Sequence, residues 1–125
     1  MILYATLGTN DLARARAFYD QLMPTLGFRC LSEGDSEAGY GPPDGPVRLW
    51  VTLPYDGRAA TIGNGSMLAL EAADQAAVEA FHRVAIAAGG TDEGAPGLRY
   101  SPGFYSCYVR DPDGNKLSAV HLGPG

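Results

Sequence analysis

Ser106, Tyr108 and Ser118 are the side chains of this 125-residue sequence whose types and spacing most suggest chemistry. They fall in FYSCYVRDPDGNKLSAV (104–120), which reads as two extended runs joined by an Asp-Pro-Asp-Gly turn. Pro112 pre-sets φ there, and Gly114 tolerates φ above zero. If Asp111 pairs with Asn115, then Tyr108 pairs with Ser118 and Ser106 with Val120, and side chains two apart share a face. That face presents a phenol and two hydroxyls, the wall of a partly polar cavity. Such groups can orient a substrate oxygen, but a tyrosine near its reference pKa of about 10 is a poor acid at neutral pH.

Other reactive side chains offer less. Cys30 and Cys107 sit in separate extended runs and match no metal-ligand spacing; Cys107 alternates with Tyr108, so it faces the helix layer as an inert thiol. No Ser stands with a His in a nucleophile–base arrangement. His82 follows Phe81 at the flank of a helical apolar stripe, and His121 follows the last strand. EGDSE (33–37) is a solvated acidic turn, and Glu71 shares strand parity with Met67 at a cavity rim. No catalytic residue is identified.

Composition narrows the class. A hydrophobic content of 46% with 18% charged residues is that of a folded globular chain. The net charge of −5, with nine scattered Lys and Arg, argues against nucleic acid as a partner. No apolar run approaches the roughly 18 residues that cross a bilayer, so no membrane partner is expected. The opening MILYATLGTND has neither a basic n-region nor a cleavage site, so the cytoplasm is the expected location.

The elements that position the chemistry come as a repeat. YATLGTNDLARARAFYDQLMPTLG (4–27) aligns without a gap on MLALEAADQAAVEAFHRVAIAAGG (67–90) at a shift of 63 residues. Leu7, Asp11, Ala13, Ala17, Phe18 and Gly27 fall on Leu70, Asp74, Ala76, Ala80, Phe81 and Gly90. Each copy starts with an alternating strand (Leu3, Ala5, Leu7; Leu68, Leu70, Ala72) and then an Asp suited to N-cap a helix. The apolar positions Leu12, Ala15, Phe18, Tyr19, Leu22 and Val78, Phe81, Ala85, Ala88 recur at helical spacing. Gly27 and Gly90 are expected to end the helices in the left-handed conformation. Strands FRCLSE, EAGYG and VRLWVTL follow the first helix, and FYSCYVR and NKLSAV the second. The prediction is an α+β fold of two βαβββ modules, 1–53 and 66–125, joined by a turn-rich linker at 54–65. A single module buries too little to stand alone, so the two pack together.

TNDLARARAFYDQLMPTLGF, AVEAFHRVAIAAGG and YVRDPDGNKL together resemble the vicinal oxygen chelate superfamily, which includes glyoxalase I, a lactoylglutathione lyase, extradiol dioxygenases, fosfomycin-resistance transferases and bleomycin-resistance proteins. The resemblance implies an open, cup-shaped mixed sheet with helices outside, usually as a homodimer. It also implies a divalent metal held by His and Glu at positions that here are Tyr4, Met67 and Ser118. A neutral phenol, a thioether and a hydroxyl leave no charge to offset dehydration of such an ion, so neither a metal nor another cofactor is expected. By strand parity the cup is lined by Tyr4, Thr6, Trp50, Met67, Ser106, Tyr108 and Ser118, with Thr52 and Ala69 beside them. The resemblance supports Trp50 and Tyr108, since relatives place aromatics against ligand there. The expected function is metal-independent binding of a small organic molecule. The alternative is a lyase, isomerase or dioxygenase-type enzyme using a relocated metal or a Tyr/Ser acid–base pair.

Overall fold

Asp11 and Asp74 each convert an extended residue into a helix start. The Asp11 carboxylate accepts from the Arg14 backbone N–H at 3.0 Å and opens α1 (Leu12–Leu22); Asp74 accepts from Ala77 at 2.8 Å and opens α2 (Gln75–Ala87). Each satisfies a donor that the first helical turn leaves free. The computed structural model, which describes residues 1–124, buries Ala15, Phe18, Tyr19 and Leu22 of α1 and Val78, Phe81 and Ala85 of α2. Those are residues of the predicted stripes.

The helix ends differ from one another. Beyond α1 a 3-10 turn, Met23–Leu26, leads to Gly27 at φ 79°. In the second copy it is Gly89, not Gly90, that takes positive φ, at 106°. No 3-10 turn follows α2, so its stop arrives one residue early. Gly90 is required by space instead. A Cβ there would lie 2.7 Å from the Arg110 carbonyl oxygen, 2.8 Å from that of Ala85 and 3.0 Å from the Phe18 ring.

β1 (Ala5–Gly8), β2 (Arg29–Glu33), β3 (Glu37–Gly41) and β4 (Leu49–Thr52) form one mixed sheet in the order β1-β4-β3-β2. β5 (Leu68–Glu71), β6 (Thr91–Leu98), β7 (Phe104–Arg110) and β8 (Lys116–Leu122) form a second in the order β5-β8-β7-β6. The β1–β4 and β5–β8 pairs are parallel and the rest antiparallel, so strand–helix–strand–strand–strand occurs twice with one topology, and no barrel closes. β6, which the second βαβββ module requires, was not located in the sequence, unlike the other two strands that follow α2. Its TDEGAPGL reads as turn, and it pairs with β7 only through register shifts around Gly94 and Gly97, where bulges take up the glycines and Pro96. Leu3, expected in the first buried alternation, precedes β1 and is 66% exposed.

One face of each sheet packs on the helices. Leu49 and Val51 do so in the first sheet; Cys107, Val109, Leu117 and Ala119 do so in the second, within one shared core. The Cys107 thiol meets the Val78 carbonyl, and burial pushes it up to about 11, so it stays protonated.

The Asp-Pro-Asp-Gly-Asn turn is a clamp between the copies of the repeat. The Asp111 carboxylate is buried. One oxygen accepts from the backbone N–H groups of Asp113 and Asn115; the other accepts from the Asn115 side chain and, at 2.6 Å, from the Tyr19 hydroxyl of α1. Asp113 accepts from the Thr9 hydroxyl at 2.5 Å, the Asn10 backbone N–H at 2.9 Å and Arg14 at 2.9 Å. Asn115 donates to the Gly8 carbonyl. Residues 8–14 and 111–115 thus hold one another through both side-chain and backbone groups.

Two phenols in this core should dominate alkaline behaviour. Burial and then the Asp111 charge push the Tyr19 phenol far up; burial and a 2.6 Å bond to Asp20 do the same for Tyr40. Both values are raised in the fold, so their stabilisation is complete below the unfolded tyrosine pKa of about 10 and declines as pH climbs past it. Of the seven tyrosines, these two should stay silent at 295 nm until the protein unfolds, and stability should fall from about pH 10 upward. Native ionisation of all seven before unfolding would contradict this.

Candidate functional site

The strand registers set the candidate residues in rows on the sheet faces turned away from the helices. In the second sheet Ala69, Ser118, Tyr108 and Gly94 form one row and Glu71, Val120, Ser106 and Gly97 the next. The predicted pairs Tyr108–Ser118 and Ser106–Val120 are both observed. In the first sheet Thr6, Trp50 and Gly39 make the corresponding row. Tyr4 and Met67 stand one residue before β1 and β5, at equivalent places in the repeat, 55% and 46% exposed.

Each ring lies across a glycine. A Cβ at Gly39 would fall 2.7 Å from Trp50 Cζ3, and one at Gly94 would fall 2.9 Å from Tyr108 Cδ2 and 3.2 Å from an Arg99 Nη. Absent side chains on β3 and β6 thus let the rings lie along the sheets, as broad, partly exposed aromatic surfaces.

Tyr108 has the most distinctive surroundings. The Arg99 guanidinium lies 5.0 Å from its ring centroid and the Lys116 ammonium 5.6 Å, both within cation–π range. Ser106 Oγ donates to its hydroxyl at 3.3 Å. Burial alone would push the Tyr108 phenol up, but the Ser106 hydrogen bond, the neighbouring Tyr100 hydroxyl and the Arg99 and Lys116 charges bring it below its usual value. Arg99 is anchored by the carbonyls of Ala95, Gly97 and Ser106. Tyr100, beside it, has φ 64° and stacks edge-on against Phe104 at 5.3 Å. Ser118 is fully buried, and its Oγ lacks a hydrogen-bond partner among the described residues.

Arg99, Tyr100 and Lys116 escaped the sequence reading. Lys116 was recoverable, because it shares parity with Ser118. Arg99 and Tyr100 follow the strand hidden by its glycines.

Three recesses accompany these faces. One of about 680 Å³ lies between residues 53–59 and the ends of β1, β3 and β4, lined by Asn10, Glu37, Thr52, Tyr55 and Arg58 among others; it includes none of the seven candidates. Thr52 does share the Trp50 face. Met67 and Lys116 line a smaller recess of about 200 Å³, and Tyr4 one of about 450 Å³.

The donors at Tyr4, Met67 and Ser118 do not suit a divalent cation, and among the described residues no group of three His, Cys, Asp or Glu side chains could hold one. His82 bonds Asp92 at 2.9 Å, and His121 meets the Ala72 carbonyl at 3.3 Å. No helix among the described residues is long and apolar enough to cross a membrane.

The model of the Glyoxalase/Bleomycin resistance protein/Dioxygenase superfamily matches residues 1–118. A glyoxalase/bleomycin resistance protein from Albidiferax ferrireducens T118 is 40% identical, with 97% of this chain and 98% of that one covered and a TM-score of 0.88. A glyoxalase-related enzyme from Fulvimarina pelagi is 25% identical over 94% and 85% of the two chains, with a TM-score of 0.71. A lactoylglutathione lyase from Agrobacterium tumefaciens, 23% identical over 96% and 92%, shares the fold with a TM-score of 0.68. No curated protein sequence matches the chain.

Proposed function

The chain belongs to the Glyoxalase/Bleomycin resistance protein/Dioxygenase superfamily, and from that premise we propose that it binds a small organic molecule on its helix-free sheet faces without a divalent metal. The observation that carries this is the residue set itself. Where the resemblance places metal ligands stand Tyr4, Met67 and Ser118, and beside them are two aromatic rings, Trp50 and Tyr108, with the hydroxyls of Thr6 and Ser106. Broad apolar surface with a few placed polar groups is the ordinary make-up of a ligand site. The working form is a cytoplasmic homodimer, in which a second subunit covers exposed apolar side chains such as Ile2 and Leu3.

Metal analysis of the purified protein, followed by a thermal-shift screen of small organic molecules, tests the proposal. Binding stabilises the native state by mass action, and Trp50, the sole tryptophan, reports it by fluorescence. A stoichiometric divalent ion, or an activity abolished by chelator, would overturn the reading. The lowered Tyr108 phenol favours one second reading, in which Tyr108 exchanges a proton with the bound molecule. Chelator-resistant turnover that Tyr108→Phe abolishes while binding persists would establish it.

A further inference from the structure

We infer that the molecule bound on the second sheet is an organic oxyanion, a carboxylate or a group of similar charge, held between Tyr108, Lys116 and Arg99 and the hydroxyl of Ser118. The inference rests on the ligand-binding reading above and adds the ligand's charge.

An acidic protein with 14 Asp and Glu against nine Lys and Arg has a field that repels anions on average. The helix-free face of the second sheet departs from that average. Arg99 and Lys116 both stand over one tyrosine ring, and Arg110, on the same strand parity, adds a third cation that Glu93 offsets. The acidic groups nearby are Asp92, which bonds His82 and also lies within the field of Arg99, and Glu71, one row away. Lys116 has no ion-pair partner among the described residues and lines an open recess. Arg99 is tied to three backbone carbonyls that cancel none of its charge. Ser118 supplies an independent sign. Its buried Oγ, directly across from Tyr108, is unpartnered, where buried hydroxyls in native proteins are nearly always bonded. Two cations, a phenol and an unpartnered hydroxyl together offer the charge and the hydrogen-bond donors that an oxyanion requires.

Benzoate, benzamide and benzamidine share one ring and differ in charge, so titrating each against the protein and reading calorimetric heat isolates the charge term. Benzoate should bind at least tenfold tighter than benzamide, and benzamidine weakest. Lys116→Met should remove most of that preference by weakening benzoate binding far more than benzamide binding; Arg99 is left alone because its carbonyl bonds hold the β6 bulges. Tyrosinate absorbance at 295 nm, assigned with Tyr108→Phe, gives a second readout. Bound benzoate should move the Tyr108 midpoint upward, and Lys116→Met should do so without ligand. Equal or tighter binding of benzamide or benzamidine overturns the oxyanion while leaving ligand binding intact. Failure of all three to bind overturns the oxyanion and counts against the ligand-binding reading as well.

Discussion

Asp111→Ala should remove about 3–5 kcal/mol of folding free energy, a large share of the roughly 5–15 kcal/mol that holds a domain together. The buried carboxylate accepts from four donors: two backbone N–H groups, the Asn115 amide and the Tyr19 hydroxyl. Alanine satisfies none of them, and each buried donor left alone costs about 1–3 kcal/mol, partly relieved by water at the turn. Tyr19→Phe removes one bond and leaves Asp111 its other three donors, so it should cost about 1–2 kcal/mol. Asp111→Asn, which keeps the shape and part of the accepting capacity, should fall between the two. Urea unfolding measures all three. A loss below about 1 kcal/mol for Asp111→Ala would mean that the clamp does not hold the copies of the repeat together.

Gly90→Ala is the second large effect, and its comparison with Gly89→Ala makes it diagnostic. Only Gly89 has a torsion that other residues avoid, and a Cβ there meets nothing within 4 Å. Its replacement should cost about 1–2 kcal/mol for the left-handed backbone. Gly90 has no positive φ, but a methyl there would press on the Arg110 and Ala85 carbonyls and the Phe18 ring. Backbone atoms cannot rotate aside as a side chain can, so the helix end must shift against β7, at about 2–4 kcal/mol. A thermal-unfolding series should therefore rank Gly90→Ala as the more damaging change. The reverse order would show that the contact between α2 and β7 yields easily.

Periodicity made much of this fold legible. Apolar alternation on short strands, an Asp before each helix and a 63-residue self-match require no tertiary information, and they led to the right elements and to the Tyr108–Ser118 register. β6 was hidden because its glycines and proline carry turn chemistry, and only pairing with β7 makes TDEGAPGL extended. Gly90 was misread because sequence does not distinguish a glycine needed for torsion from one needed for space. The aromatic and hydroxyl rows were legible by parity. Lys116, on the same parity as Ser118, was legible too, but Arg99 was not, since it reaches the Tyr108 ring only by folding back over Gly94.

The clamp between residues 8–14 and 111–115 also bears on how the chain reaches this state. Thr9 and Asp113 are separated by 104 positions, so their bond closes nearly the largest loop the polypeptide can form. Contacts of such high order are assembled late and slowly, because the entropy of closure is lost before the contact returns anything. A ribosome would release β1 and α1 long before Asp111 and Asp113 exist to receive Tyr19 and Thr9. Until then Tyr19 lacks the acceptor that accompanies its burial, and the first copy of the repeat must wait, exposed to chaperones, for the second to be synthesised.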